Sequence, residues 1–344
     1  MSESTEVSPS VPSDTTARPV IPDRLRSPFT RMIGSWEFLL LGVGIVIFFL
    51  NMQASPYFLD PWNLSDATFN FTEKAMIAFA MALVIVSGEI DLSVASIIAL
   101  VSTCMGFAVQ LGFDTPMLIV IGLLVGAACG AFNGLLVAGM GLPSIVVTIG
   151  TLSLFRGIAY IVLGDKAYSG YPESFAFFGQ GYVWWVITFE MVLFVITALF
   201  FYVLLHRTSF GRSTVAIGNN PTAALFSGIR VARVKFILFV LTGVMSAIAA
   251  ICLTSRLGST RPSIAVGWEL EIVTMVVLGG VNILGGSGTI PGVFIAAIVM
   301  GMVTFGLGLL NVPGIVMSIF VGLLLISVIA LPIVIRRTRQ RVTR

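Results

Sequence analysis

HRTSFGRSTVAIGNNPTAALFSGIRVARVK, residues 206–235, is a polar, basic island in a chain that is otherwise mostly apolar from Trp36 to Ile335. The island carries Arg207, Arg212, Arg230, Arg233 and Lys235. Within it, Asn219-Asn220-Pro221-Thr222 has helix-start chemistry, Ala223-Ala224-Leu225-Phe226 is a short apolar run, and Gly228 is a stop. An Asn before a Pro at the first helical position, with Gly just past the end, punctuates a helix. The stretch predicts a short helix of roughly two turns, lying outside the bilayer and flanked by cations. Two uses are open to it: an ordinary connecting loop, or a surface that touches a partner.

Composition sets the frame. Of the 344 residues, 57% are hydrophobic and 10% charged, and the mean hydropathy is +1.03. A soluble domain carries about a quarter of its residues as charges, so this is a membrane protein. The 35 glycines suit a polytopic helical one, because glycine lets helices approach closely in lipid. Cys104, Cys129 and Cys252 lie in apolar stretches without metal-ligand spacing. His206 is the only histidine, which argues against a histidine-based metal site or catalytic triad. The net charge of +3 gives no reason to expect nucleic acid.

A bilayer core takes about 20 apolar residues per helix, and on that measure the chain reads as about ten spans, with eight as the alternative. Residues 1–30, rich in Ser, Pro and Thr, read as a disordered tail. The membrane domain is 31–335, and 336–344 is a basic tail. The predicted spans are Trp36–Asn51, Asn70–Ser87, from there to Val109, Met117–Ala138, Pro143–Leu163, Tyr182–Leu205, Phe236–Thr254, Trp268–Leu284, Ile290–Leu310 and Ile315–Ile335. Fourteen of the 19 Lys and Arg precede the first span, lie in the island or follow the last span, positions that an even number of spans places on one face. The positive-inside rule makes that face cytoplasmic. The fold expected is all-α and polytopic, with both termini and the island inside.

Several polar groups interrupt the apolar pattern. Glu89, Asp91 and Ser93 stand where the second span hands over to the third. Such groups either face a cavity or a partner, or cap the next helix as solvated residues at the membrane surface. Gly279-Gly280 and Gly285-Gly286-Ser287-Gly288 break a late span in a comparable place. Two glycine-interrupted spans in corresponding halves point to a transport pathway. Thr148, Thr151, Ser153, Arg156 and Tyr160 make the fifth span unusually polar. Their readings are pathway lining or a hydrogen-bonded helix interface, with Arg156 expected to pair with Glu89 or Asp91. The candidate pathway set is Glu89, Asp91, Ser93, Thr148, Thr151, Arg156, Gly279 and Gly280. No G-x-x-x-x-G-K-[ST] occurs, so the chain has no phosphate-binding loop of its own. No catalytic constellation is present, and an enzyme is not expected.

Four stretches, in order, carry a family likeness. They are Gly88-x-Ile90-Asp91-Leu92-Ser93-Val94, Pro143 through Thr151, the island pattern Gly211…Ala216-x-Gly218-x-Asn220-x-x-Ala223-Ala224-x-x-Ser227-Gly228-Ile229, and Ala265 through Thr289 with its two glycine pairs. Together they resemble the permease subunits of ABC sugar importers of the ribose, xylose and rhamnose type. The resemblance implies a second permease chain, an ABC ATPase carrying ATP and Mg, and an extracytoplasmic sugar-binding protein, all at a bacterial inner membrane. It implies no cofactor in this chain. It makes the island a coupling loop whose short helix docks on the ATPase, with Gly211, Ala216, Gly218, Asn220, Ala223, Ala224, Ser227 and Gly228 as its residues. The small ones, Gly218, Ala223, Ala224 and Gly228, are expected to make the contact. The family has Gly where this chain has Glu89 and Ala95, which leans the expected cargo from ribose toward a deoxyhexose such as rhamnose, another pentose-like sugar or an autoinducer-type sugar derivative. The rival is an ion-coupled secondary transporter using Glu89 and Asp91.

Overall fold

The computed structural model describes residues 36–164, 166–320, 322, 323 and 326. The expected tails 1–30 and 336–344, and most of the tenth span, lie outside these residues. Helices α1 (Trp36–Ala54), α2 (Pro61–Thr68), α3 (Thr72–Val86), α4 (Val94–Gln110), α5 (Thr115–Gly134) and α6 (Ser144–Leu163) form the first half. A π-helical turn, Leu135–Gly139, extends α5. The second half holds α7 (Glu173–Gln180), α8 (Phe189–Arg207), α9 (Ser209–Asn219), α10 (Pro221–Phe226), α11 (Val231–Leu257), α12 (Trp268–Leu278) and α13 (Ile290–Leu309). Two small antiparallel pairings, Tyr168–Ser169 with Ser259–Thr260 and Tyr182–Trp184 with Ile187–Thr188, lie in the loops.

Nine of the ten predicted apolar segments coincide with helices, but not all of these can cross a bilayer alone. Among the described residues, six helices are long and apolar enough to span, and the bent pair α2–α3 makes a seventh. Helix α12 has 11 residues, about 16 Å at 1.5 Å per residue, against about 30 Å of hydrocarbon. The glycines at 279 and 280 end it earlier than the expected Leu284. The sixth span also starts later than expected. Residues 182–188 form a hairpin, and α8 begins at Phe189 behind Thr188, whose hydroxyl caps Met191 N. The hairpin tip leaves Trp184 and Trp185 exposed, a placement that suits a membrane–water interface.

Helix α3 is the axis. Every residue from Thr72 to Val86 except Lys74 is buried, and α8, α9, α11, α12 and α13 all pack on it. A helix apolar all round belongs in such a position. Helix α5 crosses tightly on α11. A Cβ at Gly126 would lie 2.5 Å from Gly243 O, and one at Gly130 would fall 3.0 Å from Val240 Cα. Gly126, Gly130 and Gly134 repeat at intervals of four, the small-xxx-small pattern of helices in lipid.

Candidate functional site: two broken helices and the island

Both interruptions and the island meet at one end of the molecule. After α3 the chain runs without helix from Ser87 to Ser93. Gly88 takes a positive φ of 85° and turns the chain. The second break brings Gly285 and Gly286 alongside it: Gly286 N donates to Val86 O at 2.9 Å. A Cβ at Gly285 would stand 2.9 Å from Gly88 Cα. Helix α9 closes the junction. Asn219 Nδ2 donates to Gly286 O at 3.0 Å, and Gly218 lies so close that a Cβ there would overlap the Val86 carbonyl oxygen. The Val86 carbonyl and the Gly286 amide, freed by the two breaks, thus satisfy each other within the protein.

The carboxylates are structural anchors of this junction. Asp91 is fully buried rather than solvated. Its Oδ1 accepts from Ser93 N at 2.9 Å and Ser93 Oγ at 2.6 Å, and its Oδ2 accepts from Thr242 Oγ1 at 3.0 Å. Asn133 adds a bond to Ser93 Oγ at 2.8 Å. One carboxylate thus ties the start of α4 to α5 and α11. Glu89 pairs with Lys235 in the first turns of α11. Arg156 is bound to neither. Its Nη1 donates to Pro262 O at 2.7 Å and Ile264 O at 3.1 Å, and its Nη2 donates to Ala95 O at 3.2 Å. The expected Arg156 ion pair is thus replaced by three carbonyls. The physical reason is that both carboxylates already have partners of their own, Lys235 for Glu89 and Ser93 with Thr242 for Asp91, so Arg156 meets the start of α4 only at the Ala95 carbonyl and otherwise binds the loop before α12.

The other candidate pathway residues also lie in packed interfaces. Thr148 donates to Ser144 O at 2.8 Å and Thr151 to Thr148 O at 3.4 Å, both on the buried side of α6. Gly279 lets α12 approach α13, since a Cβ there would lie 2.6 Å from Val293 N. Gly280, at φ 83°, faces the Trp36 ring, whose Nε1 donates to Leu278 O at 2.7 Å.

The island holds two helices rather than one, and its end already belongs to α11. Thr208 caps α9 through Gly211 N at 3.2 Å. Gly211 is buried where α9 turns off α8, and Ala216 is half-buried against the core. Asn220 caps α10 by accepting from Ala223 N at 3.0 Å. Gly228 ends it at φ 83°, and Ser227 Oγ donates to Ala223 O at 2.9 Å. The small residues divide. Gly218 and Ala224 face inward, Ala224 only 4% exposed, whereas Ala223 and Gly228 are exposed. The outer surface of α10 is instead large and apolar: Phe226 is 87% exposed and Leu225 59%. Gly218 and Ala224 thus bring helices together, and the bulky residues reach outward. A two-residue apolar pair on an otherwise polar island was the available signal for this.

At the opposite end, Arg256 makes a bidentate pair with buried Glu73, at 3.0 and 2.9 Å. Thr72 donates to Glu190 Oε2 at 2.9 Å. Lys74 pairs with Glu271 at 2.5 Å and lies over the Trp268 ring. These pairs join α3, α8, α11 and α12 and were not readable from spacing, because their partners are 118–197 positions apart.

A family model described as branched-chain amino acid transport system / permease component matches residues 63–329. The chain belongs to this permease family. Among its relatives, the autoinducer 2 import system permease protein LsrD of Salmonella typhimurium is 36% identical over 301 residues, covering 86% of this permease and 90% of the relative. The ribose import permease protein RbsC of Bacillus subtilis is 36% identical over 293 residues, 85% and 90% of the two chains. LsrD of Photorhabdus laumondii is 37% identical over 297 residues, 85% and 89%. No solved structure matches the permease.

Proposed function

We propose that this permease is the membrane subunit of an ATP-driven ABC importer for a monosaccharide or a sugar-derived small molecule. The observation that carries the reading is its 36% identity to permeases named for autoinducer 2 import and ribose import, across about nine-tenths of their length. The two cargoes stand at equal identity. Glu89 has a local explanation in its pair with Lys235, whereas Ala95 meets Arg156 only through its backbone carbonyl, and a deoxyhexose such as rhamnose stays within the proposed cargo class.

The importer needs an ABC ATPase that carries ATP and Mg, a second permease chain of the same or a homologous sequence, and an extracytoplasmic binding protein. The basic island and both termini face the cytoplasm of a bacterial inner membrane, in keeping with the concentration of Lys and Arg there. Helix α10 docks on the ATPase through Leu225 and Phe226. The rival ion-coupled mechanism is not favoured, because both of its carboxylates are held by partners: Glu89 by Lys235, and Asp91 by Ser93 and Thr242.

Crosslinking tests the docking. A photoreactive benzophenone amino acid at Phe226 is expected to trap the ATPase in the assembled importer. The same probe at Phe200, exposed on α8, is expected to trap lipid alone. Equal ATPase trapping at the two positions, or trapping at neither, would refute the proposed role of α10.

A further inference from the structure

A cavity of about 500 Å³ opens between α9, the end of α10 and the start of α11. Its rim is polar and basic: Ser213, Ser227, Arg230 and Arg233 line it. Its floor is apolar, with Phe210 and Ile237. Both arginines are exposed, and neither makes an ion pair among the described residues. The first backbone amides of α11 lie beside them, and a helix start of 27 residues favours an anion. The depth is also informative. At 27 residues, α11 is about 40 Å long, about 10 Å more than the hydrocarbon core. Its far end is fixed by the Arg256–Glu73 pair. Between Lys235 and Arg256, residues 236–255 of α11 are uncharged, 20 residues or about 30 Å, enough to fill the hydrocarbon core, which leaves Arg230–Lys235 in the headgroup layer on the basic face.

We propose that this cavity binds the headgroup of an anionic phospholipid, with Arg230 and Arg233 on the phosphate, Ser213 as a further donor, and the first acyl carbons over Phe210 and Ile237. A basic pocket between helices at the membrane surface is suited to such a headgroup. The apolar floor selects a lipid over a free phosphate. The bound lipid would brace the short segment 227–230 that links α10 to the spanning α11. The inference concerns this chain's own surface and does not depend on which cargo is carried.

Native mass spectrometry of the full-length permease, released from phosphatidylcholine nanodiscs doped with phosphatidylglycerol, provides the test. Wild type is expected to retain phosphatidylglycerol in preference to phosphatidylcholine. The R230Q/R233Q variant should retain about 30-fold less, R230K/R233K should keep most of it, and R207Q/R212Q, which alters arginines of the same island outside the cavity, should match wild type. Equal loss in both glutamine variants would reduce the effect to general surface charge and overturn the site. Unchanged retention in R230Q/R233Q would also overturn it. Full displacement by millimolar glycerol 3-phosphate would overturn the lipid assignment in favour of a soluble phosphate ester.

Discussion

Gly218 and Phe226 lie eight positions apart in the island and do opposite things. Gly218 has backbone on two sides, the Val86 carbonyl and Gly286 N, so any side chain there must push the broken helices apart. Overpacking of this kind costs about 1–3 kcal/mol. Gly218→Ala is therefore expected to lower the thermal midpoint of the purified permease, read by differential scanning fluorimetry in detergent. Phe226→Asp touches nothing in the permease and should change stability by less than about 0.5 kcal/mol, while abolishing stimulation of the partner ATPase. Arg156 makes a third residue-scale case. Arg156→Ala leaves the carbonyls of Pro262, Ile264 and Ala95 without their donor, at about 1.5–3 kcal/mol for bonds to a charged group. Hydrogen exchange should rise in the 261–267 loop. Unchanged exchange there would show that the loop is held by other means.

Among the elements, α10 was the most legible. Asn220, Pro221 and Gly228 mark both of its ends in the sequence, and the structure uses Asn220 as the cap and Gly228 as the left-handed stop. Asn220→Ala should loosen it by about 1 kcal/mol, read as faster exchange at 221–228 and not elsewhere. Helix α9 was hidden, because Ser209, Arg212 and Ser213 dilute its apolar face. The breaks at Gly88 and Gly279–Gly288 were visible as glycine clusters, but their meeting was not, since Val86 and Gly286 are 200 positions apart. Asp91 was legible as a possible cap. Its partners Asn133 and Thr242 are single polar residues in apolar helices, and nothing local marks them as one cluster. The G-x-x-x-G run at 126–134 carries the tight α5–α11 crossing at Gly243, which the abundance of glycine alone did not locate. Gly130→Leu should disrupt that crossing, and loss of monodisperse protein on gel filtration checks it.

At the scale of the molecule, charge and apolar length carry the architecture. Apolar runs located the helices, but among the described residues α12 falls short of a full span, because it stops at glycines that also belong to its apolar run. Lys235–Glu89 and Asn219–Gly286 at one end, and Arg256–Glu73 with Lys74–Glu271 at the other, bracket the buried α3 with polar ties. Through Gly218 and Asn219, α9 touches both broken helices directly, and α10 packs on α9. Uptake by proteoliposomes tests this account most directly. The permease would be reconstituted with its ATPase and binding protein and offered labelled ribose and autoinducer 2 in turn. Uptake of at least one cargo that requires ATP hydrolysis, survives collapse of ion gradients and disappears with Phe226→Asp is the expected result. Uptake driven by a proton or sodium gradient with the permease alone would contradict the account.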